Sequence, residues 1–463
     1  MSPRFRSFLS LAPFGAALSV VATVTVVALP GPEQVDPGGV STAEVDLTQN
    51  AEPVAPGWVA ESEVDANLVG VEWQGDPGAS FTLETRDSDG NWEPAATVGP
   101  QSREEGPDDN TVEGANAAAR AAAGNVTEPI WIGNDATAVR VVLDGGAPAD
   151  VSLHTVDSEA PSTAAGTAAA AGGMPEPGAT DGDRLAVLLT GLGAGALVVG
   201  SRVWWRRRQL TRAQRSRSRR AALAAASVLV LVALSACNAK SPIGPPTIPG
   251  MANIVTRAQW GADENLRVYP NNVNPGCDGS VNDMSQLKFA VVHHTAGNNF
   301  YTPQESASIV RGIYTFHTTI SAGGYCDIAY NFLVDRYGQV FEGRYGGADA
   351  YRNLTLGAHA RGFNSSSVGV SILGHFGETQ VTPEAIEAVK QVIHFKFGYH
   401  GTNPVDPIWY TTAGNEKYPP NHQLWVNPVS YHAYTGSTEC PGSSVIPKIE
   451  SIWLDVANRL GYY

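Results

Sequence analysis

The chain has 463 residues, 45 acidic against 30 basic side chains, and a net charge of −15. That length suits two or three domains, and the acidity argues against nucleic acid as a partner, since a phosphate backbone calls for a basic surface. Four cysteines over this length exclude a small disulfide-stapled scaffold.

Residues 1–30 open with a basic stretch, Met1 to Arg6, followed by an uncharged apolar run from Phe8 to Leu29. The run is about as long as the roughly 20 residues that a membrane-spanning helix needs. It is a secretory signal or a retained anchor, and no crisp small-residue cleavage site chooses between them. Residues 31–157 are expected to form a smaller β-rich extracytoplasmic domain. Phe81 to Arg86 alternates at the strand period, and Val139 to Leu143 and Val151 to Val156 read as two further strands. Residues 101–124 are acidic and then alanine-rich, a long excursion with no catalytic spacing in it. His154, alone on a strand, reads as structural. The domain is either a wall-binding accessory module or a plain spacer.

Residues 158–183 are an Ala/Gly/Pro linker that cannot bury a core. Residues 184–237 hold two apolar stretches around an arginine-rich loop, with nine arginines and no acid between positions 202 and 220. On the positive-inside rule the loop is cytoplasmic and the flanking domains lie outside. The alternative is a lipoprotein signal, because Leu234, Ser235, Ala236 and Cys237 resemble a lipobox and make Cys237 a candidate lipid-attachment site. Residues 238–250 form a proline-rich tether. A bacterial membrane is thus an expected partner, with the remaining domain in the cell envelope, anchored or secreted.

Residues 251–463 make one domain of ordinary size. Phe289 to Val292 is a short buried strand leading into His293. Thr302 to Thr319 and Thr382 to Tyr399 carry helix-start signals. Ile328 to Asp335 and Gln339 to Glu342 read as a hairpin, Ser367 to Leu373 as a strand, and Ser444 to Leu460 as a closing amphipathic helix. Strands that alternate with helices predict an α/β domain, a mixed central β-sheet flanked by helices. His432 and Cys440 lie eight positions apart, and far upstream the apolar strand ends in His293 and His294. Two imidazoles and a thiolate suit zinc, and three protein ligands leave a fourth position for water. The reading is a zinc hydrolase centred on His293, His432 and Cys440. Cys277 and Cys326 are either two buried thiols or, outside the membrane, a disulfide.

The ordered segments Ile254 to Gly261, Val291 to Ala296, Asp327 to Val334, Gly357 to Asn364, Ser367 to Val370 and His432 to Gly442 together resemble peptidoglycan recognition proteins and the phage lysozyme-type zinc N-acetylmuramoyl-L-alanine amidases. The resemblance covers about 252–463 and implies the peptidoglycan recognition protein-like fold. It implies Zn2+ as cofactor on His293, His432 and Cys440, Tyr330 as a catalytic residue facing the metal, and Thr438 as a second catalytic position. It places His359 near the substrate groove; His294, Arg361 and Asn364 are further groove candidates. The implied substrate is peptidoglycan, cut between N-acetylmuramic acid and L-alanine. The alternative is a non-catalytic peptidoglycan-binding module. Residues 401–428 depart from the family as an aromatic-rich insertion, either a wall of the groove or a packed surface loop.

Overall fold

The computed structural model describes residues 34–35, 40–159 and 254–463, except 49–51, 55–56, 102–104, 123, 144–148, 321–323 and 348–351. The expected signal or anchor, the linker from residue 160 onward, the arginine loop with its apolar flanks, Cys237 and the tether lie outside the described residues; the linker's first residue, Ser158, is buried. No helix among the described residues is long and apolar enough to cross a membrane.

The N-terminal part is a sandwich of two antiparallel sheets. Its strands are β1 (Gln34–Val35), β2 (Ser41–Asp46), β3 (Glu52–Val54), β4 (Gly57–Glu63), β5 (Leu68–Gln74), β6 (Phe81–Arg86), β7 (Trp92–Val98), β8 (Asn125–Val126), β9 (Ile130–Trp131), β10 (Ala138–Leu143) and β11 (Ala149–Asp157). One sheet runs β1-β2-β11-β5-β8, with β9 also on β5, and the other β3-β4-β10-β6-β7. Strand alternation builds the core. In β10 Val139, Val141 and Leu143 point inward among Trp58, Phe81 and Leu83. Arg140 points outward over the Trp92 ring and pairs with Glu61 and Glu84. His154 pairs with Glu72 at 2.8 Å. The excursion between β7 and β8 carries a helix, α1 (Val112–Ala121), started by Thr111, whose side chain accepts from Gly114 N.

The α/β part contains α2 (Arg257–Trp260), β12 (Phe289–His294), α3 (Ser306–Thr319), β13 (Phe332–Val334), β14 (Val340–Glu342), β15 (Ser367–Ile372), α4 (Pro383–His400), β16 (Ile408–Thr411), β17 (Gln423–Val426), β18 (Val429–Tyr431), α5 (His432–Thr435) and α6 (Ile449–Arg459). The central sheet is ordered β14-β13-β15-β12-β18, parallel except for the β13–β14 pair. Parallel strands are covered on both faces, and every residue of β12 and β15 is buried. One face packs on α4 and α6 through Val292, Val370, Val389 and Ile452.

Two helices differ from expectation. The first begins at Ser306, because Thr302 N and Oγ1 both bind Glu305 Oε2 and form a separate turn before it. The closing helix begins at Ile449 after a 3-10 turn over Ile446–Lys448, where Pro447 has no N–H to donate. The insertion is a hairpin, β16–β17. Its inner face puts Tyr410, Leu424 and Val426 against Phe289 and Phe363. Its outer face exposes Trp409 and Trp425 with ring centroids 4.5 Å apart. Cys277 and Cys326 form a disulfide, and among the described residues Cys440 is a buried free thiol.

The sandwich is not a detached spacer. The outer face of β5 packs on α3: Leu68, Val126, Trp131 and Val156 share one core with Ile313, Tyr314 and Phe316. Gly70 permits the approach, since a Cβ there would lie 2.5 Å from the Phe316 ring. Arg311 of α3 also reaches across, to the Ser158 carbonyl.

Candidate metal centre

Strand geometry decides which of the paired histidines faces the site. Successive side chains of a strand alternate, so His293 shares the face of Phe289 and Val291, and His294 that of Ala290 and Val292. His294 consequently turns away: its Nδ1 accepts from Phe376 N, while its backbone N donates to Cys440 Sγ. The parallel register that sets Val292 beside Tyr431 brings together the residues that follow them, His293 in β12 and His432 at the start of α5. Their ring centroids are 4.6 Å apart. The loop after α5 returns Cys440 to the same point, held by Ala433 N on the Cys440 carbonyl and by Cys440 N on Thr438 Oγ1.

One donor atom from each of His293, His432 and Cys440 lies within 4.8 Å of the others, and all three residues are buried. The donor set fits zinc chemically. Burial first, and neighbouring imidazoles second, hold His293 well below its ordinary pKa, which keeps it neutral, the form a metal ligand needs. Burial pushes the Cys440 thiol well above its usual value, a penalty that a bound cation would remove. Cys440 Sγ and His293 Nδ1 are 3.8 Å apart, close to the roughly 3.5 Å between two ligands of one tetrahedral zinc bonded at about 2.0 and 2.3 Å.

His359 lies behind this set. It is fully buried, and its Nδ1 is 3.0 Å from His293 Nε2. Were His293 to ligate a metal through Nδ1, its proton would sit on Nε2 and it would donate to His359, which would fix ring and tautomer. Asn364 is buried too: its Oδ1 accepts from His359 N and Ala360 N and holds that turn.

The sandwich supplies the residues that sequence reasoning missed. The hydroxyl of Tyr330 donates to Glu105 Oε1, and the same carboxylate oxygen is 3.7 Å from His293 Nδ1. Burial pushes the Glu105 carboxyl up to about 7. Burial and then the Glu105 charge also raise Glu128. Burial, with Glu105 next, keeps Tyr330 well above its usual pKa and therefore protonated. Further along the excursion, Asp108 Oδ1 accepts from Gly362 N and from Asn364 Nδ2, and Asp109 forms a two-pronged pair with Arg361 at 2.8 Å. Glu113 pairs with Arg344 and accepts from Cys326 N. The only signal in the sequence was the acidic run itself, which reads equally well as a solvated loop.

A family model described as N-acetylmuramoyl-L-alanine amidase matches residues 283–443, a span that includes His293, Tyr330, His432 and Cys440 but not Glu105. Peptidoglycan-recognition protein SC2 of Drosophila simulans is 29% identical over 224 residues, 48% of this chain and 94% of its own length. Human peptidoglycan recognition protein 3 is 29% identical over 141 residues, 30% of this chain and 35% of its own. Among solved structures, wild-type Drosophila PGRP-LB is 22% identical and covers 43% of this chain and 93% of its own, with a TM-score of 0.31.

Proposed function

We propose, from the premise that the 283–443 region belongs to the N-acetylmuramoyl-L-alanine amidase and peptidoglycan-recognition family, that this chain is a zinc-dependent amidase. Its substrate is peptidoglycan, and the bond cut is the amide between N-acetylmuramic acid and L-alanine. The observation that carries the reading is the buried His293–His432–Cys440 set with Tyr330 beside it, at ring centroids 5.6 Å from His293. A zinc ion held there would polarise the amide carbonyl and lower the pKa of its water.

The chain's own groups do the rest. His293 and His432 present neutral imidazoles, and His359 holds the first of them in register. Tyr330, protonated because it is buried, donates one hydrogen bond to the oxyanion that develops on the carbonyl. In the state described, that hydrogen bond goes to Glu105. Thr438 orients the Cys440 backbone through its hydroxyl and serves the thiolate rather than the substrate.

The second reading is a peptidoglycan-binding module without turnover. It is favoured by the recognition-protein names of the relatives and by the occupation of Tyr330 by Glu105. Release of stem peptides from purified walls, with and without chelator, separates the two. The amidase reading expects peptides with newly freed L-alanine amino termini that disappear on chelation and return with zinc. Because Glu105 holds the Tyr330 hydroxyl in this state, the same measurement is made on the Glu105→Ala chain, and wall binding without release from either chain supports the module.

A further inference from the structure

We propose that residues 105–122 are an intramolecular plug that covers the metal centre and keeps the full chain latent until the plug is displaced. The inference rests on the amidase reading of the centre and adds its regulation. His293 and His432 have no exposure and Cys440 has 4%, so a glycan polymer cannot reach the ligands as they stand. Some part of the molecule must move, and the part lying against Tyr330 and His293 is Glu105 with the segment that follows it.

The contacts of this segment are those of a releasable latch. They are polar: Tyr330 to Glu105, Asn364 to the Gly106 carbonyl, Gly362 and Asn364 to Asp108, Arg361 to Asp109, Arg344 to Glu113, and Asn116 to the Pro275 carbonyl. Of the helix α1 itself, only Glu113 and Gly114 are buried, so little apolar surface opposes its departure. Cavities flank it. One of about 310 Å³ lies beneath, bounded by Gly106, Ala117 and Arg361, and one of about 370 Å³ separates Thr111 and Glu113 from Asp278 and Tyr345. The sandwich is moored elsewhere, through Leu68, Trp131 and Val156, so the plug can leave while its parent domain stays docked. Once it has left, the Tyr330 hydroxyl and the Gly362 and Asn364 N–H groups lose their acceptors on Glu105, Gly106 and Asp108 and can meet a substrate's carbonyl and carboxylates.

The test uses the full, zinc-loaded chain and the variant Glu113→Ala. With the plug closed the variant buries Arg344 without Glu113; with the plug open Arg344 is hydrated. Loss of one partner of a buried ion pair is strongly destabilising, so the closed state should weaken on the order of 100- to 1000-fold. Zinc extraction by a chromophoric chelator and amide hydrogen exchange within 105–122 should accelerate by that factor, and stem-peptide release should rise with them. Asp109→Ala, at an exposed position, provides a milder version that does not threaten folding, with an expected acceleration up to about fivefold. Extraction and exchange unchanged in both variants would overturn the plug, as would a wild-type chain that releases peptide as fast as Glu113→Ala. Faster extraction and exchange without peptide release would uphold the plug and overturn the amidase reading instead.

Discussion

The sandwich meets the α/β domain in two places, and the two are built from opposite materials. Around Leu68, Trp131 and Val156 the contact is apolar and continuous with the core of α3. Around Glu105 to Asn116 it is made of carboxylates, amides and guanidinium groups, with cavities at its sides. Apolar contact derives its strength from area and has no cheap intermediate state. A polar contact can exchange its partners for water, or for a substrate with the same groups, at little net change. The first suits a permanent joint and the second a switch, and both occur within one domain pair.

The largest expected effect breaks the permanent joint. Phe316 is fully buried between the two parts, so Phe316→Ala should destabilise the chain by about 3–5 kcal/mol. Denaturant unfolding followed by tryptophan fluorescence should show one lowered transition for both parts. A loss confined to the sandwich would mean that the core is not shared.

Next comes Tyr330, which the account assigns to catalysis and to the latch together. Made in the Glu113→Ala background, where the plug is open, Tyr330→Phe should retain its zinc and lose on the order of 100- to 1000-fold in turnover; in the otherwise unchanged chain the plug, short of one hydrogen bond, should exchange its amides somewhat faster. Near-normal turnover would remove the hydroxyl from the mechanism.

Smaller still is the contribution of His359, which touches the site only through His293. His359→Ala should weaken zinc binding by about 10- to 100-fold, read by competition with a chelator of known affinity, and His359→Gln should recover part of it by accepting from His293 Nε2. Equal affinity in all three chains would reduce His359 to packing.

The same contrast explains what the sequence disclosed. The buried strand into His293 and the helix begun at Thr382 follow from local rules, because strand runs and capping act over a few residues; that His294, a groove candidate from the sequence, turns away to Phe376 emerged only from the structure. His293, His432 and Cys440 stood out because their side-chain chemistry is scarce and their segments are ordered. Glu105 did not. It meets Tyr330 across 225 positions, and nothing in a run of acids indicates that Arg344 and Arg361 await it. Gly70 was equally silent, since its purpose is the Phe316 ring of a distant helix. The 401–428 insertion disclosed its aromatics but not that Tyr410 faces the core while Trp409 and Trp425 face solvent.

The central claim is that three side chains hold a zinc on which hydrolysis depends. Cys440→Ser, made in the Glu113→Ala background so that closure of the plug does not mask the result, tests it on one purified pair of proteins. Zinc content and stem-peptide release from purified walls are measured on the same samples. The account predicts one zinc per chain and steady release for Glu113→Ala, and loss of both with the fold intact once Cys440 is replaced, since a core of this size does not hang on one metal. A Cys440→Ser chain that keeps its zinc and still releases peptides at the parent rate would contradict it.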